Sequence, residues 1–70
     1  EMDEFALDGQ EWIELKNLLK LMGMCETGGE AMNVISEGLV KVDNAVELRK
    51  RCKIRTGQVV EYDGRRVIVR

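Results

Sequence analysis

Seventy residues are enough for one domain, and a domain of this size buries only about 60% of the surface its unfolded chain exposes. At 44% apolar and 34% charged, the chain has a globular composition with a well-solvated surface, and it lacks any run of the roughly 18 apolar residues that a membrane span needs. The net charge of −2 hides an uneven layout, with two basic against nine acidic residues in 1–40 and nine basic against four acidic in 41–70; a field so concentrated attracts polyanions even on a nearly neutral chain.

In chain order, Glu1-Met2-Asp3-Glu4-Phe5 is acidic, the opposite of a signal peptide's basic start, so a cytoplasmic location is expected. Residues 5–7 read as a short strand closed by the Asp8-Gly9 turn. Trp12 and Ile13 can add a second extended piece. A helix is expected over 14–22, because Leu15, Leu18, Leu19 and Met22 form one apolar stripe at helical spacing. Glu14 suits the positive end of its dipole and Lys20 the negative end. Lys16 and Lys20 are four apart and share a side of the helix, with Asn17 beside them. Gly23 ends it.

The second helix spans 27–38 and carries written start and stop signals. Thr27 can cap it, and Glu30 follows at the capping-box spacing. Ala31, Val34 and Ile35 share its apolar face, and Gly38 stands where a left-handed C-terminal cap is wanted. A strand over 39–42 then alternates buried valines with Lys41, and Asp43-Asn44 makes a two-residue hairpin turn. Residues 45–48 return and run into Arg49-Lys50-Arg51-Cys52-Lys53. Thr56-Gly57 is a turn. Val59, Val60 and Tyr62 form another strand, Asp63-Gly64 a hairpin turn, and Val67, Ile68 and Val69 the last strand. The order is strand, helix, helix, then antiparallel strands. It predicts an α+β domain with two packed helices against a small antiparallel sheet.

Catalysis has little to stand on. The chain has no histidine, and none of Cys25, Cys52, Thr27, Thr56 and Ser36 has a base at motif spacing. Two distant cysteines do not supply a four-ligand zinc site, and a disulfide between them is not expected in a reducing cytosol. Gly28-Gly29 precedes a helix, as in phosphate loops, but Glu26 and Glu30 flank it and no lysine follows. The basic run is the best binding signal. Arginine grips phosphate in two places, and lysine adds a point charge. Only Phe5, Trp12 and Tyr62 are aromatic, and none is interleaved with the basic residues. That speaks against a stacking platform for single strands and for recognition of backbone and shape.

The segments Leu18-Leu19-Lys20-Leu21-Met22-Gly23, Thr27-Gly28-Gly29-Glu30-Ala31, Ile35-Ser36-Glu37-Gly38-Leu39-Val40-Lys41-Val42-Asp43, Glu47-Leu48-Arg49-Lys50-Arg51-Cys52-Lys53-Ile54 and Gly57-Gln58-Val59-Val60 together resemble the S-four RNA-binding domain. That domain is named from small-subunit ribosomal protein four. It also occurs in pseudouridine synthases, tyrosyl-tRNA synthetases and a ribosome-rescue heat-shock protein. The pattern is similar in particular to small, free-standing bacterial S-four-like proteins, and it covers nearly the whole chain. The resemblance implies the αL fold, with RNA held on the helix pair and the adjoining loop.

It further implies an RNA-binding site at Lys16, Lys20, Lys41, Arg49, Lys50, Arg51 and Lys53. Two positions depart from the family pattern. Gly28 and Met32 stand where the family often has basic residues, so part of the helix-borne surface is missing. The expected function is non-catalytic binding of structured RNA, ribosomal RNA or tRNA, by a monomer with the ribosomal subunit among its candidate partners. The alternative is a protein-interaction module that uses the charge-split surface.

Overall fold

Thr27 opens the better-defined of the two helices in the computed structural model, which describes residues 2–70. Glu1, counted above among the acidic residues, lies outside them. Helix α1 is Leu15–Leu21 and helix α2 is Gly28–Ser36. The Glu30 N–H donates to Thr27 Oγ1 at 3.0 Å, and the Glu26 N–H donates to Glu30 Oε1 at 2.8 Å. The Glu30 carboxylate thus reaches back one residue beyond the cap, and two amides that have no intrahelical partner are satisfied. At the other end Gly38 adopts φ +78°, a conformation that side chains penalise, and the Leu39 N–H closes onto Val34 O at 3.1 Å.

Seven strands accompany the helices among the described residues: β1 (Asp3–Phe5), β2 (Ile13–Glu14), β3 (Lys41–Val42), β4 (Ala45–Val46), β5 (Lys53–Ile54), β6 (Val59–Tyr62) and β7 (Arg65–Val69). Five form one sheet in the order β1-β7-β6-β3-β4, and β2 pairs with β5 in a separate ladder. The turn residues Asp43 and Asn44 both take positive φ, 51° and 70°, as the expected hairpin requires. Asp43 does more than turn: its Oδ1 accepts from the Val59 N–H at 2.9 Å, which ties the hairpin to the start of β6.

Register places one face of the larger sheet inward. Val42 opposes Val60 and Val60 opposes Val67, while Lys41, Glu61 and Arg66 form a row on the outer face. The buried valines meet Leu15, Leu18 and Leu19 of α1 and Ala31, Val34 and Ile35 of α2 in one hydrophobic cluster. Each fully buried aliphatic side chain contributes about 1.5 to 3 kcal/mol, so these residues hold the helix pair to the sheet.

Three features differ from the sequence expectation. The first strand lies at Asp3–Phe5 rather than 5–7, and it runs parallel to β7, so the sheet is mixed rather than wholly antiparallel. Leu7, past the strand's end, is buried, and its N–H donates to Arg70 O at 3.0 Å. The hairpin return stops at Val46. The Glu47 N–H still donates to Val40 O, but the Glu47 carboxylate then turns back to Arg49, and the ladder ends. Finally, β5 leaves the main sheet and pairs with β2, which buries Ile13 and Ile54 opposite each other.

Candidate nucleic-acid interface

The basic run forms a loop between β4 and β5. Its chain reverses at residues 49–52, where the Cys52 N–H donates to Arg49 O at 3.1 Å. Cys52 O then accepts from the Leu15 N–H at 2.8 Å, so the loop's end is docked against the start of α1. Ile54, fully buried, anchors it from the C-terminal side.

Each arginine is held by a carboxylate. Arg49 grips Glu47 in a two-pronged ion pair, with Nε to Oε2 at 2.9 Å and Nη2 to Oε1 at 3.1 Å, and its N–H also donates to Oε2 at 2.9 Å. These bonds hold the Glu47 carboxyl down at about 2, against the opposing effect of its burial. Arg51 Nε meets Glu14 Oε2 at 3.2 Å, across 37 residues of sequence. The guanidinium side chains nonetheless stay 76% and 78% exposed, with the carboxylate partners largely covered beneath them. The cations are thus fixed in place with their outer edges facing solvent.

Lys53 takes a different partner. Its ammonium lies over the Trp12 ring, 4.7 Å from the centroid, a cation–π arrangement. Lys50 is exposed at the tip of the turn. Arg49, Arg51, Cys52 and Lys53 line an open recess of about 410 Å³. The other expected residues lie elsewhere: Lys16 and Lys20 on α1, and Lys41 on the outer sheet face between Val46 and Glu61.

The C-terminal basic residues partly close the charge split. Arg65 Nη2 donates to Asp3 Oδ2 at 3.0 Å and to Met22 O at 3.1 Å, and Arg70 meets Glu4 at 3.7 Å. Parallel pairing of β1 with β7 brings these opposite charges together. What remains concentrated is the loop.

Two of the hydroxyls weighed as nucleophiles have structural partners. Thr27 Oγ1 is the helix cap, and Ser36 Oγ donates to Met32 O at 2.8 Å. Both cysteines are free and buried. Burial raises the pKa of each thiol, with Glu30 adding to it at Cys25 and Glu47 at Cys52, which keeps them in the unreactive protonated form. Among the described residues, no group of three His, Cys, Asp or Glu side chains could hold a metal ion, and no helix is long and apolar enough to cross a membrane.

Trp12, Glu14 and Glu47 are parts of this site that the basic run alone does not announce. Glu47 stands two residues before Arg49 and could have been read as its local partner. For Trp12 and Glu14 the signal is absent, because their contacts cross 41 and 37 residues of sequence.

Two packed helices leading into a sheet, with a basic loop docked at the first helix, define an S4-type domain, and the S4 domain family model matches residues 5–70. The chain belongs to that family. It is 52% identical over 68 residues to YbcJ of Escherichia coli (strain K12), named as a candidate RNA-binding protein, covering 97% of each chain. YbcJ of Shigella flexneri matches to the same extent. The solution structure of E. coli YbcJ, described as revealing an αL motif involved in RNA binding, superposes with a TM-score of 0.75 at 51% identity, covering 99% of this chain and 87% of that one. The 30S ribosomal protein S4e from Thermoplasma acidophilum shares the fold at a TM-score of 0.62 and 24% identity, over 81% of this chain and 30% of its own.

Proposed function

We propose that this protein binds structured RNA in the cytoplasm without catalysing a reaction on it, with ribosomal RNA or tRNA as the ligand class and the ribosomal subunit as a partner. The observation that carries the reading is the 49–53 loop, where two exposed arginines, held from beneath by Glu47 and Glu14, surround one recess with Lys53 and with Lys50 at the tip. Fixed guanidinium forks suit phosphate oxygens, and losing little side-chain freedom on binding favours affinity. Lys16, Lys20 and Lys41 extend the positive field as peripheral contacts. The description of E. coli YbcJ as carrying an RNA-binding motif supports the same reading.

The test is the salt dependence of RNA affinity. Each phosphate contact releases roughly 0.7 to 0.9 of a counterion, so replacing Lys50, Arg51 and Lys53 by Gln flattens the slope of log affinity against log salt by about two units. Binding weakens alike for all RNA sequences, since phosphate contacts position rather than specify. An unchanged slope in a folded variant removes the loop from the RNA site. Equal affinity for heparin of matched charge would favour a generic polyanion surface instead.

A further inference from the structure

A second recess, of about 480 Å³, is lined in part by Glu14, whose ion-pair partner Arg51 lines the recess of the basic loop. It is formed by the segment after the Asp8-Gly9 turn and by the first turn of α1, and Gln10, Glu11, Trp12, Glu14 and Asn17 line it. Its volume is within the range of small-ligand sites. Trp12, the chain's single tryptophan, is half-buried in its wall. Lys53 sits over the indole but does not line the recess. One ring therefore touches both the cation cluster and the cavity.

We infer that this recess receives one unpaired base of the bound RNA, stacked against Trp12. The inference rests on the RNA-binding reading, and adds a base contact to a surface otherwise suited only to phosphates. The indole offers the flat surface that unstacked bases use, and an extruded base is read along its exposed edge. The polar groups around the ring set which edge fits. Glu14 is already engaged by Arg51, whereas Glu11 is exposed and has no ion-pair partner within 4.0 Å among the described residues. A free carboxylate only accepts hydrogen bonds, while the Gln10 and Asn17 amides donate and accept. The recess thus favours a base whose edge presents adjacent N–H donors. Guanine, with its ring N–H beside an exocyclic amine, meets that requirement best. Two contacts join this recess to the basic loop, Glu14 to Arg51 and Trp12 to Lys53, so a base held here would bring its flanking phosphates toward the loop's cations.

The experiment uses hairpin RNAs identical except for one bulged position, filled by guanine, adenine, cytosine, uracil or an abasic site. Emission from Trp12 and affinity are both read. The guanine bulge should quench Trp12 and bind roughly tenfold more tightly than the abasic hairpin, the scale of one base–aromatic stack. Trp12→Leu should remove that preference, so that the guanine and abasic hairpins bind alike. Glu11→Gln, on an exposed residue that leaves the fold alone, should reduce the preference for guanine over the other bases while quenching persists. Equal binding of all five hairpins with unchanged Trp12 emission would overturn the base site and leave the loop's phosphate contacts standing. Failure of every hairpin to bind would overturn both.

Discussion

Helix α2 and the 47–54 loop solve the same problem, satisfying charged and polar groups on a small domain, with partners at different sequence distances. The α2 capping bonds join residues three and four apart, Thr27 to Glu30 and Glu26 to Glu30. The loop's ties reach Glu14 and Trp12, on the far side of both helices in sequence. The helix is therefore a local structure that packing only has to place. The loop is held where β5 pairs with β2 and Cys52 meets Leu15, so its geometry depends on contacts between distant parts of the chain.

Breaking the loop's anchor should have the largest effect. Ile54 is fully buried opposite Ile13, and Ile54→Ala leaves a cavity in the two-stranded ladder that holds the loop to α1. A loss of about 3 kcal/mol is expected from such truncations. Chemical denaturation gives the number, and amide exchange should show β2 and β5 opening while α2 stays protected. Uniform loss of protection would mean the two regions unfold as one unit.

The matching break in α2 is Gly38→Val. A Cβ at Gly38 would meet Val46 and Leu48 at 3.8 and 3.9 Å, ordinary contact distances, so the cost is backbone strain at φ +78° and not a clash. A left-handed β-branched residue costs about 2 kcal/mol, and about 4 to 8 °C of melting temperature is lost per kcal/mol in a domain of this size. A melting temperature equal to the wild type's would contradict the cap.

This contrast also sets what the chain discloses before folding. Thr27, Glu30, Gly38 and the Asp43-Asn44 turn are legible because their partners are nearby and their residue types are demanded by specific dihedrals. The helices, the hairpin turns and the basic run were readable for that reason. The parallel pairing of β1 with β7 was not: Asp3 and Arg65 are 62 residues apart, and no turn signal marks such a pairing. The two-residue β2–β5 ladder is too short to show a period. At the site, the cations and the nearby Glu47 are visible in sequence, but Glu14 and Trp12 are not. The run looks like unrelieved repulsion in sequence, yet Glu47 and Glu14 neutralise its arginines.

Glu47 sharpens the comparison through pH. Its folded-state value of about 2 lies below the ordinary 4.5, so its ionised form favours the native state. That contribution is complete above about pH 4.5 and disappears as pH falls toward 2. Glu47→Gln should cost about 1 kcal/mol at neutral pH, less than the shift alone implies because the arginine partner sits in solvent. The variant's stability should also fall less steeply below pH 4.5. Parallel pH profiles for the two proteins would show that the pair stabilises nothing.

The smallest effect belongs to Arg51. Its bond to Glu14 is single, at 3.2 Å, where Arg49 grips Glu47 with two. Glu14 is also the residue that precedes α1, where the helix dipole favours a negative charge even without the arginine. Arg51→Gln should therefore change stability by no more than about 0.5 kcal/mol, as for most exposed pairs. Its effect on RNA should be larger, because the exposed guanidinium edge is what a phosphate would meet. Measured together, denaturation and RNA titration separate the two roles of one side chain. A stability loss as large as that of Glu47→Gln, with affinity intact, would make Arg51 a strut of the fold. Affinity lost with stability intact would make Arg51 a contact to the ligand and not a strut.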